Sequence, residues 1–205
     1  MAARTLVYLV RHGEQSSDET GPDPGLSELG RRQAHRLGQR LRAVPFDAVH
    51  HGPAARAAQT AQEIAAHLPG VAVHECRLAA DVTPVPAAGR ADQAVPQRYA
   101  DFLDAVPAPE RDPGAVRLRA AVDHWGQVGD ADRYELVVTH NFVIGWFVRH
   151  ALDAPFWRWL GLNQFNCGLT ILQWRADAPP NLVSFNDIGH LPPGERGRTP
   201  TELLS

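Results

Sequence analysis

Apolar residues in this chain fall in short unbroken runs, set between longer stretches of helical periodicity. Leu6-Val7-Tyr8-Leu9-Val10, Leu136-Val137-Val138 and Leu169–Leu172 are apolar or β-branched without strict alternation. Strands covered on both faces read this way, as in a largely parallel sheet. The pattern predicts strands at Thr5–Val10, Ala48–His50, Val71–His74, Glu135–Thr139, Leu169–Trp174 and Leu182–Phe185.

Helical patterns lie between them. Ser27 is placed to cap a helix to about Arg42, with Leu29, Leu37 and Leu41 on one face and arginines mostly elsewhere. Pro53–Leu68 carries Ala57, Ala61, Ile64, Ala65 and Leu68 at helical spacing. Asp112-Pro113 reads as an N-cap followed by proline at the first helical position, before Leu118, Ala121, Val122 and Trp125. Asn141–Leu152 reads as a buried helix. Ser16–Gly25 and about 78–96 read as irregular, the second as a loop insertion, and the chain from about 192 as a surface tail. Strands alternating with helices give an α/β fold. The expectation is a single domain over 1–205, with α/β/α layers around a mostly parallel central sheet.

Composition narrows the partners. Hydrophobic residues are 44% and charged residues 21%, and the net charge is -3. No positive excess is available for phosphate backbones, so nucleic acid is not an expected partner. No apolar run is long enough to span a bilayer, so no membrane partner is expected either. The only cysteines are Cys76 and Cys167, and no apolar leader precedes the first strand. These features lead to the expectation of a cytoplasmic protein. A homodimer is left open.

The chemistry lies where strands end. The first strand runs into Arg11-His12-Gly13, and Leu136–Thr139 runs into His140-Asn141. Ligands in open α/β sheets bind outside the carboxyl ends of the strands. If the two strands are neighbours, their histidines meet there. The strand near Val49 leads into a helix whose first turn carries Arg56, and a helix N-terminus favours anions. A pocket of Arg11, His12, Arg56 and His140 suits a phosphoryl group, because guanidinium matches its oxygens and stays charged. One imidazole nitrogen can attack phosphorus while the other fixes the tautomer. The second histidine can donate to developing charge. The arginines neutralise the charge, so the pattern calls for no metal and no cofactor. His50-His51 and His74-Glu75-Cys76 lack familiar zinc spacing.

Four blocks carry a resemblance: LVRHGEQ (9–15), LSELGRRQAHRLGQRL (26–41), GPAARAAQTAQEIA (52–65) and LVVTHN (136–141). In this order they resemble the histidine phosphatase superfamily, also called phosphoglycerate-mutase-like. The resemblance implies that His12 is the nucleophile and becomes phosphohistidine. It implies that Arg11, Arg56 and His140 hold the phosphoryl group. Asn141 would help through its backbone or side chain, and is equally a candidate helix N-cap. The chain departs from the family pattern twice. Gly52-Pro53 stands where the family often has Ser-Pro. Asp81, in RLAADVTPVP (77–86), stands where the general acid is usually glutamate. Glu75, Asp92 and Glu14 are the rival acids.

The expected activity is that of a metal-independent phosphomonoesterase on a phosphorylated small molecule or phosphoprotein. The alternatives are phosphoryl transfer of the phosphoglycerate mutase type and a non-catalytic pseudoenzyme that binds phosphorylated ligands or partner proteins.

Overall fold

The structure, a computed structural model, describes residues 2–17 and 20–197. Residues 18 and 19 of the Ser16–Gly25 segment, and 198–205 of the expected tail, lie outside the described residues. The strands are β1 (Arg4–Arg11), β2 (Ala48–His51), β3 (Ala72–Glu75), β4 (Thr83–Val85), β5 (Arg111–Pro113), β6 (Arg133–Thr139), β7 (Leu169–Arg175) and β8 (Ala178–Asp187). The α-helices are α1 (Glu28–Leu41), α2 (Ala55–Ala65), α3 (Ala100–Ala105), α4 (Val116–Trp125) and α5 (Asn141–Ala151).

The central sheet has the order β3-β2-β6-β1-β7-β8. From β3 to β1 every pairing is parallel, and β7 and β8 add an antiparallel edge. Neighbouring residues of one strand face opposite ways. Val7, Leu9, Val137 and Leu172 therefore pack beside α4 and α5, with Trp125 and Phe147 among their partners. Val10, Val49, Leu136 and Val138 pack on the other face, beside α1 and α2, with Leu37 and Ile64. Both faces are covered, so the strands are apolar without alternation. The fold is α/β with a mostly parallel central sheet, as the pattern predicts.

Helix α1 begins as expected: the Ser27 hydroxyl accepts from Gly30 N at 3.0 Å. Its buried stripe differs from the predicted one. Gly30, Gln33, Ala34, Leu37, Gly38 and Leu41 are buried, whereas Leu29 is only half-buried. A fully buried glutamine thus sits on the apolar face. The stripe's glycines allow close approach. A Cβ on Gly38 would stand 3.1 Å from the Ile64 backbone of α2. A Cβ on Gly30 would stand 2.1 Å from the Glu14 carbonyl oxygen.

Two expectations need correction, and one helix was missed. Helix α4 starts at Val116, and Asp112-Pro113 belongs to β5 instead. The capping chemistry survives at longer range: the Asp112 carboxylate accepts from Arg117 N at 3.1 Å and Leu118 N at 3.0 Å. Gly114 and Ala115, at φ 69° and 56°, make the turn that permits this. The stretch 78–96 is not one irregular loop, since it holds β4, paired in parallel with β5, and a 3-10 turn at Ala91–Gln93. Helix α3 was not foreseen, being short and of mixed polarity. No helix among the described residues is long and apolar enough to cross a membrane.

The Asp112 cap generates a stability prediction. Asp112 is 2% exposed, and its loss leaves two N–H groups of α4 without their acceptor, that of Leu118 in a buried place. Asp112→Ala is expected to lower the unfolding free energy by about 1–2 kcal/mol in urea titrations, and Asp112→Asn by clearly less. Equal stability of all three proteins would refute the capping role.

Candidate active site

Arg11 pairs with Thr139 across parallel β1 and β6, and His12 N donates to Thr139 O at 3.0 Å. The next residues, His12 and His140, therefore leave adjacent strands side by side. Their ring centroids are 5.2 Å apart. Strand β2 ends at the same edge, where Gly52 N donates to Val138 O at 3.2 Å, and the first turn of α2 brings in Arg56. Arg11, His12, Arg56, His140 and Asp81 are thus brought together.

The tautomer of His12 follows from its partners. Nδ1 lies 2.8 Å from Gly13 O, and a carbonyl oxygen only accepts, so Nδ1 carries the proton. Nε2 keeps its lone pair and accepts from Arg56 Nε at 3.3 Å. Burial, then the nearby His140 and Arg11, hold the His12 pKa well below its ordinary value and keep the ring neutral.

His140 is pushed down to about 3, chiefly by burial and then by Arg56 and Arg11. Its Nδ1 is 3.2 Å from Asp81 Oδ2, yet neither ring nitrogen makes a well-directed hydrogen bond within the described protein. Arg11 Nε is likewise buried without a partner, while Arg11 NH1 donates to Gln164 O at 2.5 Å. Buried polar groups are normally satisfied. Orphaned nitrogens on Arg11 and His140, beside a neutral imidazole and a second guanidinium, make a receptor for an oxyanion.

Asp81 accepts from Arg56 NH2 at 2.9 Å. It follows the 3-10 turn Arg77–Ala79, which Thr139 ties to the end of β6 by donating from Oγ1 to Ala79 O at 2.8 Å. Crowding by surrounding protein raises the Asp81 carboxyl above its ordinary range, against the opposite pull of Arg56 and Arg11. The side chain is still 43% exposed, as befits a group at a pocket mouth. The rivals stand elsewhere. Glu14 accepts from the Ser27 hydroxyl at 2.9 Å, Glu75 is exposed on edge strand β3, and Asp92 is exposed and paired with Arg90 at 2.8 Å.

The Asn141 side chain does not turn to the pocket. Nδ2 donates to Asn163 Oδ1 and Oδ1 accepts from Gln164 N, both at 2.8 Å. It braces the loop whose Gln164 carbonyl holds Arg11. His140, not Asn141, is the N-cap residue of α5.

Other residues went unnoticed in the sequence. Helix α2 has Ala54 at its N-cap, with no side-chain bond. Asp23 supplies one from a distant loop, accepting from Ala55 N at 2.8 Å, and its other oxygen lies 3.5 Å from Arg56 NH1. Thr60 Oγ1 accepts from Gly13 N at 2.9 Å and donates to Arg56 O at 2.7 Å. Thr60 lies within the recognised Arg-x-x-Gln-Thr block; Asp23 had only its place in a Pro/Gly turn to mark it. The candidate metal residues pair otherwise: His50 Nε2 lies 2.9 Å from Glu135 Oε2.

Comparison with known proteins places this arrangement in context. The sequence profile of the histidine phosphatase superfamily (branch 1) matches residues 7–188. The serine/threonine-protein phosphatase Pgam5, mitochondrial, of Caenorhabditis briggsae is 32% identical over 197 residues, covering 92% of this chain and 65% of that protein. The Homo sapiens PGAM5 of the same description is 30% identical over 207 residues, covering 94% and 66%. The chain thus spans just under two thirds of the length of these relatives. Among solved structures, Bacillus stearothermophilus YhfR superimposes with a TM-score of 0.67 at 21% identity, covering 91% of this chain and 98% of that one. The expectation of a cytoplasmic location is corrected by the first two, which are both named as mitochondrial proteins; sparse cysteines do not distinguish between reducing compartments. With three of its sequence blocks meeting at the carboxyl ends of the strands and the profile matched over residues 7–188, the chain belongs to the histidine phosphatase superfamily.

Proposed function

We propose that this chain is a phosphomonoesterase that works without a metal, through a phosphohistidine on His12. One observation carries the reading: His12 is neutral, with Nδ1 donating to Gly13 O and Nε2 unprotonated beside Arg56.

In this mechanism Arg11, Arg56 and His140 grip the equatorial oxygens of a phosphate monoester. The Nε2 lone pair attacks phosphorus and the bond to the ester oxygen breaks. Protonated Asp81 gives its proton to the departing oxygen. Water then attacks the phosphohistidine, Asp81 takes up the water proton, and the phosphorus–nitrogen bond breaks. Inorganic phosphate leaves and His12 is again neutral. The guanidiniums supply the charge stabilisation by which phosphoryl transfer is accelerated. The relatives' names include serine/threonine-protein phosphatase. Phosphorylated serine or threonine side chains are accordingly the substrate class we put first, ahead of small phosphorylated metabolites.

The direct test is hydrolysis of an aryl phosphate in EDTA by wild type and His12→Ala, with phosphoenzyme trapped at neutral or alkaline pH. Turnover that survives chelation, with phosphate on His12 and none in the variant, is expected. Wild-type activity abolished by EDTA would overturn the metal-free reading.

A second prediction concerns Asp81. A general acid matters most for a poor leaving group. Asp81→Asn is expected to slow hydrolysis of an alkyl phosphate by about 10²–10⁴-fold and that of a nitrophenyl phosphate far less. His12 acts unprotonated, so its protonation sets an acid limb below the ordinary value of 6.5. Asp81 acts protonated, so its ionisation sets the opposite limb, above 3.8. Alkyl phosphatase activity should therefore fall on the alkaline side, and Asp81→Asn should erase that limb. Equal losses on both substrates, or an unchanged profile, would remove Asp81 from the role.

The buried histidines also set a pH dependence of stability. His140 is about 3 when folded against an ordinary 6.5. Below 6.5 the unfolded chain binds a proton that the folded one refuses, so stability rises with pH across that window. Denaturant midpoints are expected to climb from pH 4 to pH 6.5, and less steeply in His140→Asn.

A further inference from the structure

The two peptide units flanking Gly13 are held by side chains from separate parts of the chain. In the unit joining His12 to Gly13, the carbonyl accepts from Asn166 Nδ2 at 2.9 Å and the N–H donates to Thr60 Oγ1 at 2.9 Å. In the unit joining Gly13 to Glu14, the carbonyl accepts from His12 Nδ1 at 2.8 Å. The N–H of that same unit donates to Gln33 Oε1 at 2.9 Å. Gln33 is fully buried, and its Nε2 donates to the Glu195 carbonyl at 2.8 Å. The Glu195 carboxylate is gripped by Arg36, with NH2 at 3.3 Å beside a closer Nε contact, and Arg32 Nε lies 3.6 Å away.

These bonds form a chain of one direction. Arg56 donates to His12 Nε2, His12 Nδ1 donates to Gly13 O, Glu14 N donates to Gln33 Oε1, and Gln33 Nε2 donates to Glu195 O. Both ends are fixed in role: a guanidinium only donates, and a carbonyl only accepts. Every group between can be reversed in principle. The imidazole has two tautomers, the peptide can flip, and the glutamine amide can turn over. A flipped Gly13–Glu14 peptide would present an N–H to Nδ1 and so favour the proton on Nε2, which destroys the nucleophile. It would also turn its carbonyl toward Gln33. To receive that carbonyl Gln33 would turn over, and its own oxygen would then face the Glu195 carbonyl, acceptor against acceptor in a buried place. Space gives the same answer. A Cβ on Gly13 would stand 2.6 Å from Gly30 O, so the loop rests directly on the α1 backbone.

We propose that Gln33 is a positioning residue that sets the reactive tautomer of His12 through the Gly13–Glu14 peptide, its own amide being oriented by the docked Glu195 carbonyl. The inference rests on the reading of His12 as nucleophile, and it gives the segment around Glu195 a connection to the reacting nitrogen. Hydrogen bonds in such a chain polarise one another, so the far end also strengthens the hydrogen bond from Nδ1–H to Gly13 O.

The test is the nitrogen-15 NMR signature of the His12 ring at neutral pH, for wild type, Gln33→Met and Gln33→Glu. Wild type is expected to show Nδ1–H alone. Gln33→Met, which removes the acceptor at similar volume, is expected to populate the Nε2–H form. Its kcat for an aryl phosphate is expected to fall about 10–100-fold, as for lost outer-shell partners elsewhere, with KM changed less than twofold. Gln33→Glu, protonated in this buried place, keeps an acceptor for Glu14 N and a donor for the Glu195 carbonyl, and is expected to restore the wild-type tautomer. A mixed or Nε2–H form in wild type would overturn the proposal outright, whether or not the variants fold. So would an unchanged signature in folded Gln33→Met. The spectrum needs no turnover, so an inactive wild type with a Gln33-dependent tautomer would sink the phosphatase reading while upholding the control of the His12 tautomer by Gln33.

Discussion

Pairing Arg11 with Thr139 across two parallel strands puts His12 and His140 one residue past the edge of the sheet. Everything at the site depends on that register. Side chains on a strand alternate between faces, so a slip of one residue would carry Val7 and Leu9 from one core to the other. Such a slip would cost most of the burial that holds the layers together. The apolar cores on the two faces therefore fix the position of two polar residues that neither contains. The geometry of the candidate site is secured by hydrophobic packing some distance away.

The electrostatic character of the site follows from the same placement. Two guanidiniums and two imidazoles gathered at a strand end repel one another when charged, and burial adds to the penalty. Burial lowers the Arg11 pKa, but a guanidinium holds its proton far more tightly than an imidazole, so the histidines give up the charge. A neutral His12 is what a nitrogen nucleophile must be. A neutral His140 retains one N–H to donate. The pocket thus keeps His12 neutral by crowding positive charge around it, and an anion placed there would relieve that crowding.

Sequence pattern disclosed the strands of the central sheet, the Ser27 cap, and the residues at strand ends, because these are local: periodicity and a cap each lie within a few positions. What escaped was non-local. Asp23 caps a helix 32 residues on, Asn166 bonds a carbonyl 154 positions away, and β4 is a strand only because it finds β5. Gln33 was hidden differently. On a helix dense with arginine it reads as another polar surface residue, and only the buried loop against it shows why a polar group occupies the apolar stripe. Leu29 is the complement, an apolar residue just off the stripe whose spacing made it look central.

The two departures from the family pattern, Gly52 and Asp81, meet in one place. A Cβ at position 52 would stand 2.4 Å from Ala79 O, so the turn before Asp81 approaches β2 more closely than any residue but glycine allows. Thr139 holds the same carbonyl from the other side. A serine at 52 would push that turn outward, and a carboxylate one methylene shorter than glutamate would then fall back from the pocket. With glycine, Asp81 still reaches Arg56 at 2.9 Å and His140 at 3.2 Å. Losing a side chain at one position and a methylene at another leaves the carboxyl group within reach of the same partners. The pair is better understood as one change in the depth of the turn than as two separate losses.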